Sequence, residues 1–315
     1  MGDGGSRSRR AVLRLMIGGA ALSVLAACQS SSQPVATPTA APAANANPLV
    51  KPRASGAELT AVLASSELAL GRNRFAIGLI DGQNQNQPIT SGATRLEFFR
   101  VLAGGTAEKR FDADAIFRTV GGASRGIWVA DASFDEVGNW GAQVSLQRPG
   151  DAAARVARLN FEVKPKFSAP GYGDAAPRSR SLTEADVGGD VSHICSNTPP
   201  CELHRLSVAN ALDAGQKPLV VVFATPALCT SQLCAPELDA IIQLQKSYGD
   251  RANVIHVEIY EYPFDGQRVS GAVQEWNLPS EPWAFIVDRG GVVRERFEGA
   301  APVEELEPAL ESVLT

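Results

Sequence analysis

The sequence predicts two folded domains in series: an all-β sandwich, then an α/β domain with a central mixed sheet flanked by helices. Three observations carry this. Residues 70–166 hold short β-rich runs broken by turn dipeptides. Residues 167–190 are rich in Pro, Gly and Ser without an apolar period, and read as an interdomain linker. Residues 191–315 alternate β-branched runs with amphipathic helical stretches. A chain of 315 residues is long enough for both domains.

A basic stretch (Arg7, Arg9, Arg10, Arg14) opens the chain and an apolar run from Leu15 to Ala27 follows. The run is shorter than the roughly 20 residues that span hydrocarbon, so residues 1–27 read as an export leader. Leu25-Ala26-Ala27-Cys28 resembles the lipobox of bacterial lipoproteins, which implies lipidation at Cys28 and a membrane anchor on the extracytoplasmic face of the cell envelope. Ser8-Arg9-Arg10-Ala11-Val12-Leu13-Arg14 is similar to the twin-arginine export signal, with Val12 and Arg14 departing from its usual residues. Residues 28–57, polar and Ala/Pro-rich at their start, are expected to form a disordered tether.

Composition narrows the chemistry. A formal net charge of −5 supplies no basic face for phosphate, so no nucleic-acid partner is expected. Both methionines, Met1 and Met16, lie in the leader, and the three histidines are His193, His204 and His256. Beyond Cys28 the cysteines form two close pairs, Cys195/Cys201 and Cys229/Cys234, which in an exported protein reads as disulfide or dithiol chemistry with no cofactor required.

In the first domain the candidate strands are Phe75–Ile80, Arg95–Leu102, Ala115–Val120, Gly126–Ala132, Ala142–Gln147 and Val156–Val163, separated by turns such as Asp81-Gly82 and Pro149-Gly150. The stretch from Gly126-Ile127-Trp128 through Gly138-Asn139-Trp140 to Val144 resembles a hairpin of bacterial immunoglobulin-like sandwiches, including FixH-like and YtkA-like envelope domains. The period-2 placement of Trp128 and Trp140 suits core packing. Residues 70–166 contain no His, Cys or Met.

In the second domain Leu219–Phe223 is a continuous buried-type strand. An amphipathic helix follows over about 231–248, with Leu233, Leu238, Ile241, Ile242 and Leu244 on its apolar side. Strand 253–260, helix 269–276, strands 283–287 and 292–297 and helix 303–313 complete the order β-α-β-α-β-β-α. These landmarks, with Ala235-Pro236, Glu281-Pro282-Trp283, Gly290-Gly291 and Gly299, resemble the thioredoxin-like superfamily. The resemblance implies that Cys229 attacks as a thiolate at the helix N-terminus, that Cys234 resolves, and that Pro282 is the cis-proline shaping a substrate groove.

The spacing of the cysteines departs from that pattern. Four residues separate Cys229 from Cys234, where oxidoreductases of the superfamily have two and Sco-type copper-delivering relatives three. On a straight helix such positions are rotated by about 140° with Cα atoms roughly 8 Å apart, beyond disulfide reach, so pairing requires Cys229 to lie outside the helix. The strand 219–223 also lacks the buried carboxylate of thioredoxins. Thr225 to Cys229 is similar to the peroxiredoxin Thr-x-x-Cys loop but has one residue too many.

Upstream, His193, Cys195, Cys201 and His204 fall within twelve residues. They read either as a Cys₂His₂ metal clip or as a small loop closed by a Cys195–Cys201 disulfide, structural or relaying, with exposed histidines. The second is favoured in an oxidising compartment. His256, alternating in an apolar strand, reads as a core histidine. The functional expectation is thiol–disulfide exchange with an envelope protein substrate or redox partner. The alternatives are a Sco-like copper metallochaperone using Cys229 and Cys234, which lacks a histidine between Tyr260 and Thr315, and a non-catalytic adaptor.

Overall fold

The computed structural model describes residues 58–84, 87–121 and 125–314. The leader, Cys28 and the tether expected over 28–57 lie outside the described residues. No helix among the described residues is long and apolar enough to cross a membrane.

The first domain is a single antiparallel sheet folded over on itself. Its strands are β1 (Leu59–Leu63), β2 (Gly71–Asp81), β3 (Gln87–Pro88), β4 (Ala93–Val101), β5 (Ala107–Thr119), β6 (Gly126–Phe134), β7 (Gly138–Gln147) and β8 (Arg155–Val163), in the order β1-β2-β6-β5-β4-β7-β8 with β3 on β2. The fold-over comes from β5, which pairs with β4 over Ala107–Ala115 and then with β6 over Ile116–Thr119. One core fills the interior, built on Phe75, Phe98, Phe134, Phe161, Trp128 and Trp140. Both indoles are satisfied: Trp128 Nε1 donates to Ile89 O (2.8 Å) and Trp140 Nε1 to Glu136 O (3.0 Å). Strand β1 precedes residue 70, so the β domain begins earlier than its clearest alternation suggests.

The second domain has a four-stranded sheet, order β10-β9-β11-β12, formed by β9 (Leu219–Ala224), β10 (Asn253–Glu258), β11 (Trp283–Val287) and β12 (Val293–Glu298). Strand β10 runs parallel to β9, while β11 runs antiparallel to both β9 and β12. Helices α2 (Cys234–Tyr248) and α4 (Val303–Leu314) pack on the face of Val220, Val222, Ala284 and Ile286. The face of Val221, Phe223, Phe285 and Val287 is covered with help from α1 (Val208–Ala214) and α3 (Gly271–Glu275). The expected β-α-β-α-β-β-α order is present, with α1 added ahead of it.

The segment 167–190 is not a loose linker. Ala169, Ala176, Ser179 and Ser181 are buried, Ala175 bridges to Val292, and Ala176 N–H donates to Gly291 O (2.9 Å). Its small residues let the backbone lie close along β12, which composition alone does not show. The two domains also share buried charge. Arg296 pairs with Glu67 at 2.7 Å, and Arg74 donates to both Glu305 oxygens and to Glu298 O. Ser168 and Arg296 hold Glu67 below the usual carboxylate range against the effect of burial.

Candidate functional site

Buried strand β9 delivers the chain to Thr225, whose carbonyl accepts from the N–H groups of Leu228 and Cys229. That turn holds Cys229 outside the helix. Gln232 then takes a left-handed conformation (φ 59°), its N–H bonding to Cys229 O, and α2 begins at Cys234 rather than near Ser231. The three residues 231–233 are spent reversing the chain, which brings the Cys234 N–H onto Cys229 Sγ at 3.3 Å. Four intervening residues thus place the two cysteines side by side.

The two thiols differ. Cys229 is half-buried, and its Sγ lies 3.1 Å from Ser231 Oγ; Cys234 is fully buried. Cys229 is lowered to about 5, chiefly by a hydrogen bond from the Cys234 thiol; partial burial opposes this, and Ser231 and the N–H groups of Cys234 and Leu233 reinforce it. The same hydrogen bond, and then burial, push Cys234 up. The arrangement is that of an accessible nucleophile beside a sequestered proton-bearing partner.

Glu281 completes the group, its carboxylate and the two sulfurs lying within 4.8 Å of one another. Burial, then the charges of Cys229 and Glu258, raise it to about 7. It precedes Pro282 across a cis peptide bond and leads into β11. In the sequence Glu281 stands out only as part of the Glu281-Pro282-Trp283 motif. A second buried acid, Glu237, lies one turn after Cys234; burial lifts it to about 8, and its Oε2 accepts from Ala301 N–H at 2.5 Å.

The other pair sits on the same side of the sheet. Cys195, Cys201 and His204 belong to a strap that runs along the edge of β10, where His256 N–H donates to Leu203 O (3.0 Å). Cys195 and Cys201 are free thiols with their sulfurs 3.7 Å apart. Two histidines close on them, but not the two that proximity in sequence suggests. His204 Nε2 is 3.3 Å from Cys201 Sγ, and His256 Nδ1 is 3.4 Å from Cys201 Sγ and 3.7 Å from Cys195 Sγ. His193 is elsewhere, its ring 4.4 Å from that of Tyr262 and its Nε2 3.7 Å from Asp190. The short 3-10 turn Val191–His193 ends before the strap enters the core, leaving His193 part-exposed, whereas His204 is buried.

No family model matches the chain, and no curated protein does. Among solved structures, the chain is similar to a thiol:disulfide interchange protein of Chlorobium tepidum assigned as DsbE, at 16% identity and TM-score 0.33, over 47% of this chain and 100% of that one. It is also similar to a thioredoxin-family thiol:disulfide interchange protein of Chlorobium tepidum TLS (14%, 0.30, 48% and 99%) and to a thio-disulfide isomerase of Thermus thermophilus (21%, 0.27, 45% and 96%). Scores this low carry no argument about activity, which has to come from the site itself.

Proposed function

We propose that this chain is a lipid-anchored, extracytoplasmic thiol–disulfide exchange protein with Cys229 as nucleophile and Cys234 as resolving thiol. The observation that carries the reading is the asymmetry of the pair: an accessible sulfur held as thiolate, in contact with a fully buried thiol. The Cys229 thiolate attacks one sulfur of a partner disulfide and expels the other as thiolate, forming a mixed disulfide. Cys234 then loses its proton and attacks Cys229 Sγ; the partner leaves as a dithiol and a Cys229–Cys234 disulfide remains. Glu281, raised to about 7 in the reduced protein, is the proton acceptor for that second step, its carboxylate lying within 4.8 Å of both sulfurs. Lipidation at Cys28 would hold the domains at the envelope.

The test is trapping. With reduced protein and a model disulfide, Cys234→Ser is expected to accumulate a mixed disulfide through Cys229, and Cys229→Ser to lose exchange altogether, read by mass spectrometry and thiol release. Absence of a trapped species, with equal alkylation of Cys229 and Cys234 in the wild type, counts against exchange and favours the adaptor. The two adjacent sulfurs of Cys229 and Cys234, soft donors, favour a second reading, copper delivery; stoichiometric Cu(I) binding lost in Cys229→Ser would support it.

A further inference from the structure

We propose that Cys195, Cys201, His204 and His256 form a closed tetrahedral zinc site that fastens the strap 194–204 to the sheet and braces the loop carrying Cys229. Ligand bonds of about 2.3 Å for sulfur and 2.0–2.1 Å for nitrogen put ligand atoms on a tetrahedron about 3.8 Å apart for S···S and about 3.5 Å for S···N. The observed separations are 3.7 Å between the sulfurs and 3.3, 3.4 and 3.7 Å between sulfur and imidazole nitrogen. All four donor atoms lie within 4.8 Å of one another. Two thiolates and two imidazoles are the donor set of a structural zinc site, and four protein ligands leave no position open for a substrate.

Their surroundings support the assignment. His256 Nε2 lies 3.1 Å from Ala224 O, which fixes Nε2 as the protonated nitrogen and leaves the Nδ1 lone pair facing the sulfurs. The Cys201 N–H donates to Cys195 Sγ at 3.4 Å. All four side chains are buried. A Cys195–Cys201 disulfide in this place would leave His204 Nε2 and His256 Nδ1 facing uncharged sulfur with nothing to bind, the desolvation of each buried polar group uncompensated. A pocket walled by His193, Glu258, Tyr260 and Tyr262 reaches His204 and His256 and gives an ion a way in. Zinc binding transfers no electrons: both thiols give up their protons to solvent, and two S–Zn and two N–Zn bonds form.

The bracing follows from bonds between strap and loop. Ser196 Oγ accepts from Ala227 N–H (3.2 Å), Ser196 N–H donates to Glu258 (2.8 Å), and Ala224, whose carbonyl receives His256, adjoins the Thr225 turn that holds Cys229. The proposal does not depend on the exchange reading. A failed trapping experiment at Cys229 leaves the metal count untouched.

The test uses the full chain purified without chelator and without added reductant. Expected are one zinc per chain, retained in the Cys229→Ser/Cys234→Ser double variant and reduced to background in His256→Gln. Replacement of zinc by Co²⁺ should give thiolate-to-cobalt charge-transfer and tetrahedral d–d bands in the wild type and the double variant alike. That spectrum does not require a ligand variant to fold. A zinc-free chain with Cys195 and Cys201 joined as a disulfide would overturn the proposal. So would metal that disappears in the double variant, or binding of Cu(I) with no affinity for Zn²⁺ or Co²⁺.

Discussion

The two cysteine pairs lie on the same face of one sheet and belong to one buried cluster, yet they differ in exposure and in the groups around them. Cys229 and Cys234 are joined by a turn that leaves one sulfur within reach of solvent, and the group beside them is completed by the Glu281 carboxylate. Cys195 and Cys201 are both buried and are faced by two imidazoles. Spacing in sequence, four residues against five, does not separate the pairs. What does is exposure and the identity of the third and fourth groups. A thiol that must meet a partner needs an open side and a way to shed its proton; a thiol that fastens a strap needs company on all sides.

The sharpest way to break this comparison is to remove one member of each pair's surroundings and read stability. His256→Ala deletes a fully buried side chain, opens a cavity, leaves Ala224 O with only the Ile259 N–H as donor and removes a proposed ligand. A loss of about 2–5 kcal/mol is expected in denaturant unfolding of the full chain. Cys229→Ser in the reduced protein should cost less, because the replacement is nearly isosteric and the interactions it removes are partly solvent-screened. That smaller cost has a sign in pH. Cys229 is an acid whose folded value is depressed to about 5, so its contribution is complete above the unfolded value of about 8.5 and fades as pH falls toward 5. Equal losses in the two variants would erase the distinction between a fastening pair and a reactive one.

Much of this contrast was legible in the sequence, and the remainder was hidden for physical reasons. The strands of both domains announce themselves through alternation or through continuous β-branched runs, as in Leu219–Phe223. Strand β1 and helix α1 escaped because they are short, although Ser207 and Gly215 flank α1 as an N-cap and a left-handed stop. The requirement that Cys229 stand outside the helix followed from helical geometry, but the left-handed Gln232 that meets it could not be read from the letters. His256 reads as a core histidine and is buried as one; its approach to Cys195 and Cys201 depends on the strap pairing with the edge of β10, a contact fifty residues away in sequence. Segment 167–190 looked unpacked because Pro, Gly and Ser were read as flexibility, whereas small residues also permit close packing.

A finer test concerns the proton of Cys234. Glu281 is raised to about 7, so its base form dominates above pH 7 and is lost below it, while Cys229 stays ionised down to about 5. Between pH 6 and 8 the attack of Cys229 should therefore be flat, and resolution of the mixed disulfide should slow as Glu281 is protonated, with an inflection no higher than about 7 because Cys229 carries no charge in the mixed disulfide. Glu281→Gln is expected to slow resolution roughly 10- to 100-fold at pH 8 and to remove the inflection, with alkylation of Cys229 little changed. Stopped-flow decay of a preformed mixed disulfide measures this directly. An inflection that survives the substitution would move the proton-accepting role to another group, with Glu237 the next to try.

The smallest effect expected is at Ser231, whose Oγ lies 3.1 Å from Cys229 Sγ on the exposed side of the pair. If its hydroxyl donates to the thiolate, Ser231→Ala removes a hydrogen bond worth about 1 kcal/mol, against 1.36 kcal/mol per pKa unit, and Cys229 should rise by rather less than one unit. At pH 7 the thiolate still dominates, so alkylation by iodoacetamide should change by under about a tenth; at pH 5 the same shift cuts the ionised fraction about threefold. The measurement is therefore the full pH profile of alkylation. A midpoint that stays put would mean that the Ser231 hydroxyl contributes no net hydrogen bond to the thiolate, leaving the Cys234 thiol and the helix-entry N–H groups to hold Cys229 in its charged form.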